Sequence, residues 1–289
     1  MKPTFNKNLR FLVVGLGLMG GSYAYALSKR GFQVYAIDIQ PKTIAYAKKS
    51  GLIKDGAVMD VDLIRQADVI LFGLYPNAMV DWIKTYQEYM RPNTLISDVA
   101  GVKHRIVETI QSFLRDDVEF IASHPMAGKE VSGVEHANDE MFQQANFIIT
   151  PTEKNSEAAI AFMKQFAKEL DFANISILSC EKHDEMIGYV SQLTHVIAIS
   201  LMNANDDPDL VHYTGDSFRD LTRIARINEN LWTELFFLNK ENLMKEIDDF
   251  TDALLKLKQT LKEEDTDTLK QMMILSTQRR KLFDKPKKR

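Results

Sequence analysis

Gly15, Gly17 and Gly20 stand in the spacing G-x-G-x-x-G, directly after the apolar run Phe11-Leu12-Val13-Val14. At the end of a buried strand, that spacing suits the holding of a dinucleotide pyrophosphate. The first glycine permits a tight turn, the second lets backbone approach the anion, and the third lets a helix pack close to the strand. The first-turn N–H groups of that helix, from Leu18, Met19 and Gly20, face the anion. A second β-rich run, 33–38, ends in Asp38, 18 residues past Gly20. A carboxylate there reaches the adenosine ribose hydroxyls and repels a 2′-phosphate, so the expected cofactor is NAD rather than NADP. Lys7, Arg10 and the apolar run followed by Ala24-Tyr25-Ala26 also resemble a secretory signal, but the glycine spacing and Asp38 have no role in one.

His124 lies where the β-rich run 118–122 gives way to Ser123-His124-Pro125-Met126-Ala127-Gly128-Lys129-Glu130. Ligands of open α/β sheets sit outside the carboxyl ends of strands. A neutral imidazole there can take a proton from a substrate hydroxyl as hydride leaves for a nicotinamide. It can equally terminate the strand through a hydrogen bond. His195 lies in an apolar helical stretch, either as a hydrogen-bonded core histidine or reaching into a cleft. Arg219 and Arg223 are four residues apart and share a helix face, with Arg226 three further on. Their planar forks suit a dicarboxylate, or else form a solvated basic face. Trp232 fits a core or a pocket wall. No carboxylate–histidine spacing around either histidine indicates a metal site.

These residues need a scaffold. Residues 1–178 alternate short β-rich runs with helical patterns, the signature of a mostly parallel sheet covered by helices. Strands are expected over 11–14, 33–38, 68–74, 94–98 and 118–122, with 146–150 and 174–178 closing the sheet. Helices are expected over 19–29, 41–50, from Pro76, over 102–114 and over 156–170. From Glu181 strand signals vanish. The stretch 186–202 is apolar on nearly every side, so it belongs in a domain core or a subunit interface. Residues 203–215 form a loop, and helices start near Asp216, Glu229 and Glu263. The boundaries are therefore 1–178 and 179–289. The basic end, 285–289, reads as a solvated tail.

At 289 residues the chain has length for about two domains. Its net charge of −4 gives no reason to expect nucleic acid as a partner. The single cysteine, Cys180, excludes an intramolecular disulfide and fits a reducing cytoplasm. No apolar run reaches the ~18 residues of a membrane span.

Taken together, the residues resemble prephenate dehydrogenase of tyrosine biosynthesis. The likeness runs from Leu9 to about Glu246 and rests on the glycine turn, Ser97-Asp98-Val99-Ala100-Gly101-Val102-Lys103 and the loop His124–Glu130. It continues through His183-Asp184, Ser191-Gln192-Leu193-Thr194-His195 and Phe218-Arg219-Asp220-Leu221-Thr222-Arg223-Ile224-Ala225. The resemblance implies a Rossmann-type α/β N-terminal domain followed by an all-α C-terminal domain through which the protein forms a homodimer. It implies NAD-dependent oxidative decarboxylation of prephenate to 4-hydroxyphenylpyruvate. Arogenate dehydrogenase is the nearest alternative, and a non-catalytic NAD-binding protein a further one. On this likeness His124 is the catalytic histidine and Arg223 holds a substrate carboxylate. His195, Arg219 and Glu130 belong to the substrate site. Gly101 stands where the family commonly has a serine, and Lys103 or the backbone is expected to replace that contact. Gln192 stands where many members have histidine, and Thr194 where a proline is found. No regulatory ACT domain, and so no tyrosine feedback through one, is expected.

Overall fold

The structure is a computed structural model and describes residues 3–284. The tail expected over 285–289 lies outside the described residues. Strands and helices alternate through β1 (Arg10–Val14), α1 (Leu18–Lys29), β2 (Gln33–Ile37), α2 (Pro41–Lys49), β3 (Asp55–Ala57) and α3 (Val61–Gln66). They continue through β4 (Val69–Phe72), α4 (Pro76–Tyr86), β5 (Leu95–Asp98), α5 (His104–Phe113) and β6 (Glu119–Phe120). The strands form one six-stranded parallel sheet in the order β3-β2-β1-β4-β5-β6.

The pleat explains why its central strands read as unbroken apolar runs. Phe11, Val13, Val69 and Leu71 pack into one core, whereas Leu12, Val14, Ile70 and Phe72 pack into another on the opposite face. A parallel strand covered on both faces needs apolar side chains at every position. β3 and α3 carry no such signal. β3 is only Asp55-Gly56-Ala57, and α3 buries Ile64 alone, starting where Asp60 accepts the Asp62 N–H.

The run 118–125 does not continue as one strand. Ile121 still bonds the first sheet through Ile96, but Ser123 donates its N–H to the Asp98 side chain, 3.1 Å away. A side chain thus replaces the next rung of the ladder. β7 (Ala122–Pro125) turns into a second sheet, antiparallel to β8 (Asn146–Thr150), which pairs in parallel with β9 (Asn174–Ile177). The two strands expected to close the first sheet therefore build a separate one, with α6 (Glu157–Glu169) between them in sequence.

α7 (Cys180–Ile187), a π-helical segment Gly188–Leu193 and α8 (Thr194–Asn203) follow without a break. Burial on every side does not hold for 186–202 within one chain. Ile187, Gln192, Leu193 and Ala198 are buried, while Tyr189 and Val190 are more than half exposed. α9 (Asp216–Thr222) and α10 (Glu229–Leu238) complete a compact unit that runs to Lys240. A second unit begins at Glu241 and holds most of α11 (Lys240–Lys262) and all of α12 (Thr266–Lys281). No described helix is long and apolar enough to cross a membrane.

Candidate active site

The glycine turn lies at the switch point of the sheet, where β1 has β2 on one side and β4 on the other. Gly15 has φ +90°, and a Cβ on it would lie 2.8 Å from the Gly73 carbonyl oxygen. A Cβ on Gly20 would lie 1.9 Å from the Gly15 carbonyl oxygen, so α1 presses directly on the turn. Around Gly17 a Cβ would meet nothing within 4 Å, which leaves the approach to the turn open for a ligand. α1 begins at Leu18 with no side-chain cap. The Asp38 carboxylate is held beside the turn, accepting from the Leu16 N–H at 2.7 Å and the Gln40 N–H at 2.8 Å. Open space, uncapped helix start and anchored acid fit a dinucleotide. Gly73, unremarked in the sequence, completes the packing, since a Cβ there would meet the Gly15 oxygen at 2.7 Å. A glycine ending an apolar strand was its only signal.

β7 carries His124 past the end of β5. Its Nδ1 lies 2.9 Å from Nε2 of His183, whose Nδ1 lies 2.7 Å from Oδ1 of Asp184. The Asp184 carboxylate also accepts the N–H groups of Lys103 and His104, each at 2.8 Å, and so anchors the start of α5. Asp98 receives the Ala100 N–H at 2.9 Å and the Lys103 Nζ at 2.6 Å, and this ion pair is fully buried. Burial, then His183 and the Lys103 ammonium, holds the His124 pKa well below its ordinary 6.5. Burial also lowers that of His183, against the opposing pull of its bond to Asp184. Both imidazoles are therefore neutral at pH 7. His183 and Asp184 carried no assigned role in the sequence. Their adjacency at the start of a helix was the available sign.

The helical side reaches the same place through a chain of contacts. A Cβ on Gly101 would lie 3.5 Å from Leu235 Cδ1 and 4.0 Å from His124 Cε1. Trp232 is one turn before Leu235 on α10, and its ring stacks on His195 with centroids 3.6 Å apart. The Leu235 carbonyl accepts the Gln192 amide at 3.0 Å, and Gln192 in turn accepts from Asn239 at 2.8 Å. His195 bonds the Ser191 carbonyl through Nδ1 at 2.8 Å. Burial lowers its pKa, partly offset by the Ser191 bond and by Glu130. Arg223 is ion-paired with Glu130, and both side chains are partly solvated. For Glu130, burial pushes the pKa up, but its backbone bond and Arg223 bring it below the usual range.

Two expected site residues stand apart. Lys103 was expected to contact substrate, yet it has no exposed surface and its ammonium is taken by Asp98, so it reaches the site through its charge. Arg219 shares a face with Arg223 but points to Asp216 at 2.5 Å and the Thr214 carbonyl at 3.1 Å, with 60% of its side chain exposed. Cys180 is buried, its pKa pushed up to about 11 by burial, which excludes a reactive thiolate. Among the described residues no cluster of three or more His, Cys, Asp or Glu could hold a metal ion.

Comparison with known proteins matches this architecture. The family model described as prephenate dehydrogenase, nucleotide-binding domain, covers residues 23–175. The one described as prephenate dehydrogenase, dimerization domain, covers 179–275. The chain is 32% identical to a prephenate dehydrogenase of Lactococcus lactis, over 83% of this chain and 68% of that one. It is 29% identical to a cyclohexadienyl dehydrogenase of Zymomonas mobilis, over 89% and 90% of the two chains. The crystal structure of prephenate dehydrogenase from A. aeolicus, in complex with hydroxyphenyl propionate and NAD+, superposes with a TM-score of 0.88 at 29% identity. The likeness spans 96% of this chain and 98% of that one.

Proposed function

The chain belongs to the prephenate dehydrogenase family, and from that premise we propose that it oxidises prephenate with NAD, releasing carbon dioxide and 4-hydroxyphenylpyruvate. The observation that carries this reading is His124, a neutral, desolvated imidazole beyond the end of β5, beside the glycine turn's sheet and the arginine-bearing helices. Gly15, Gly17, Leu18, Met19, Gly20 and Asp38 would hold NAD. The bound nicotinamide accepts hydride from the ring carbon that bears the hydroxyl.

His124 takes the proton from that hydroxyl, a step open to it because the imidazole is neutral at pH 7. Loss of the ring carboxylate as carbon dioxide then aromatises the ring. Arg223 holds a substrate carboxylate. Its partner Glu130 is only a partly solvated ion pair, worth about 0–1 kcal/mol, so a substrate anion can displace it. His195, stacked on Trp232, lines the pocket between Arg223 and Gly101.

Oxidation of arogenate by the same machinery is the second reading. Arogenate carries an ammonium where prephenate has a keto group, and the Glu130 carboxylate beside Arg223 and His195 is a fitting partner for it. A further reading, NAD binding without turnover, turns on Gly101 in place of the family's serine. One assay separates the three. Purified protein and NAD are given prephenate or arogenate in parallel, and NADH absorbance is followed. Turnover with prephenate supports the leading reading, and preference for arogenate transfers the chemistry to that substrate. Silence with both, in protein that binds NAD, would leave only the non-catalytic reading.

The assignment places the protein in tyrosine biosynthesis in the cytoplasm. We assign the division of labour to 1–178 for NAD and 179–289 for substrate and dimerisation. The homodimer is supported by the exposed apolar residues Tyr189 and Val190 in the region matching a dimerization domain. Sedimentation at micromolar concentration checks it, with a monomer as the contrary result.

A further inference from the structure

The contacts behind His124 decide which of its nitrogens can act. Asp184 receives three donors, with the Lys103 N–H and His183 on Oδ1 and the His104 N–H on Oδ2. A carboxylate so surrounded only accepts, so the nitrogen of His183 that faces it, Nδ1, must carry the proton. In the neutral His183 ring, Nε2 is then an acceptor, and it lies 2.9 Å from Nδ1 of His124. Two acceptors cannot make that bond. His124 must therefore carry its own proton on Nδ1, leaving a bare lone pair on Nε2.

We propose that His183 and Asp184 are positioning residues that lock His124 in the Nδ1–H tautomer, so that its Nε2 is the atom that takes the substrate proton. The assignment of His124 as base rests on the proposed function, but the tautomer belongs to the resting protein. The balance is simple. Nε2 gains the hydroxyl proton, Nδ1 keeps its own, and the imidazolium formed shares its charge with His183 through the existing bond. The groups that face the pair are Lys103, Asp98 and Asp184, all buried. The Lys103 ammonium disfavours a resting positive charge on either ring.

The lock also links the two halves of the site. Asp184 is the residue that holds the start of α5, and its backbone carbonyl accepts the Asn239 amide at 2.9 Å. Asn239 in turn bonds Gln192, one turn before His195. The same carboxylate thus sets the tautomer and ties the base to the substrate wall.

The test is ¹⁵N NMR of histidine-labelled protein without substrate near neutral pH, where the ring coupling pattern identifies the protonated nitrogen. His124 is expected with a proton on Nδ1 and none on Nε2. In His183→Phe, which removes the acceptor, a shift toward Nε2–H is expected. There kcat should fall at least about tenfold with KM little changed. A wrong tautomer in a serine protease costs up to about 10⁴. His183→Gln, which keeps a carbonyl acceptor for His124, should recover part of the loss. Finding His124 protonated on Nε2 in the wild type overturns the proposal, as does a folded His183→Phe with unchanged kcat. The wild-type spectrum decides even if His183→Phe fails to fold. If the wild type is inactive on both substrates, the proposed function falls while the spectrum still tests the lock.

Discussion

The two walls of the site differ in how they treat charge. On the sheet side, Asp98, Lys103, His183 and Asp184 are all buried, and each polar group is matched by a partner within 3.1 Å. On the helical side, Arg219, Arg223 and Glu130 stand in solvent, paired with neighbours that water can replace. A buried, satisfied network is rigid and costly to disturb, whereas exposed pairs exchange partners at little cost. The contrast assigns proton chemistry to the first wall and anion capture to the second. Each substitution below tests whether the division is real.

The largest effect should come from His124→Asn. Removing a general base costs about 10²–10⁴ in rate, and the loss should fall on kcat rather than KM. Near-full turnover would remove His124 from the role. The same imidazole predicts the pH dependence. Its pKa lies well below 6.5, so kcat/KM should stay level through neutrality and decline only at lower pH. A fall already centred at 6.5 would contradict the desolvated wall. Stability should follow the same sign. His124 and His183 are held neutral in the folded chain, so protonation of the unfolded state below about 6.5 withdraws stability as pH drops.

Lys103→Met should follow, with its effect on folding. It leaves Asp98 as an unpaired buried charge, for which about 3–5 kcal/mol is the usual cost. Chemical denaturation measures it. A loss under about 1 kcal/mol would mean the sheet wall is wetter than its burial implies.

Legibility in the sequence divides along the same line as the walls. β1 and β4 could be read because strands buried on both faces must be apolar throughout, and the glycine turn because close backbone contact admits no other residue. His124 was legible as a candidate through its place after a strand. The break at Ile121 was not, because it depends on Asp98, distant in sequence, taking the Ser123 N–H. His183 was equally hidden, since its role arises from a 2.9 Å contact across 59 residues. Lys103 illustrates the reverse error. A lysine near a loop reads as a ligand for anions, and only the fold reveals the buried carboxylate that claims it.

Arg223→Ala probes the solvated wall. A hydrogen bond to a charged group is worth about 1.5–3 kcal/mol, so KM should rise roughly 10- to 100-fold. If the arginine acts by uniform binding, kcat should be nearly unchanged. A fall in kcat alone would show that Arg223 acts chiefly in the transition state, and the division between the walls would then fail.

The smallest effect is expected from Arg219→Ala, and it sharpens the comparison most. Arg219 and Arg223 share a helix face, so a basic face acting as a whole would lose affinity with either. The geometry separates them. Arg219 is turned to Asp216 and the Thr214 carbonyl, outside the cluster formed by Arg223, Glu130 and His195. Its exposed i, i+3 pair contributes little, so stability should change by no more than about 0.5 kcal/mol and KM by less than about twofold. A KM increase matching that of Arg223→Ala would show that substrate draws Arg219 away from Asp216. The solvated wall would then be a mobile pair of arginines rather than a single anchor.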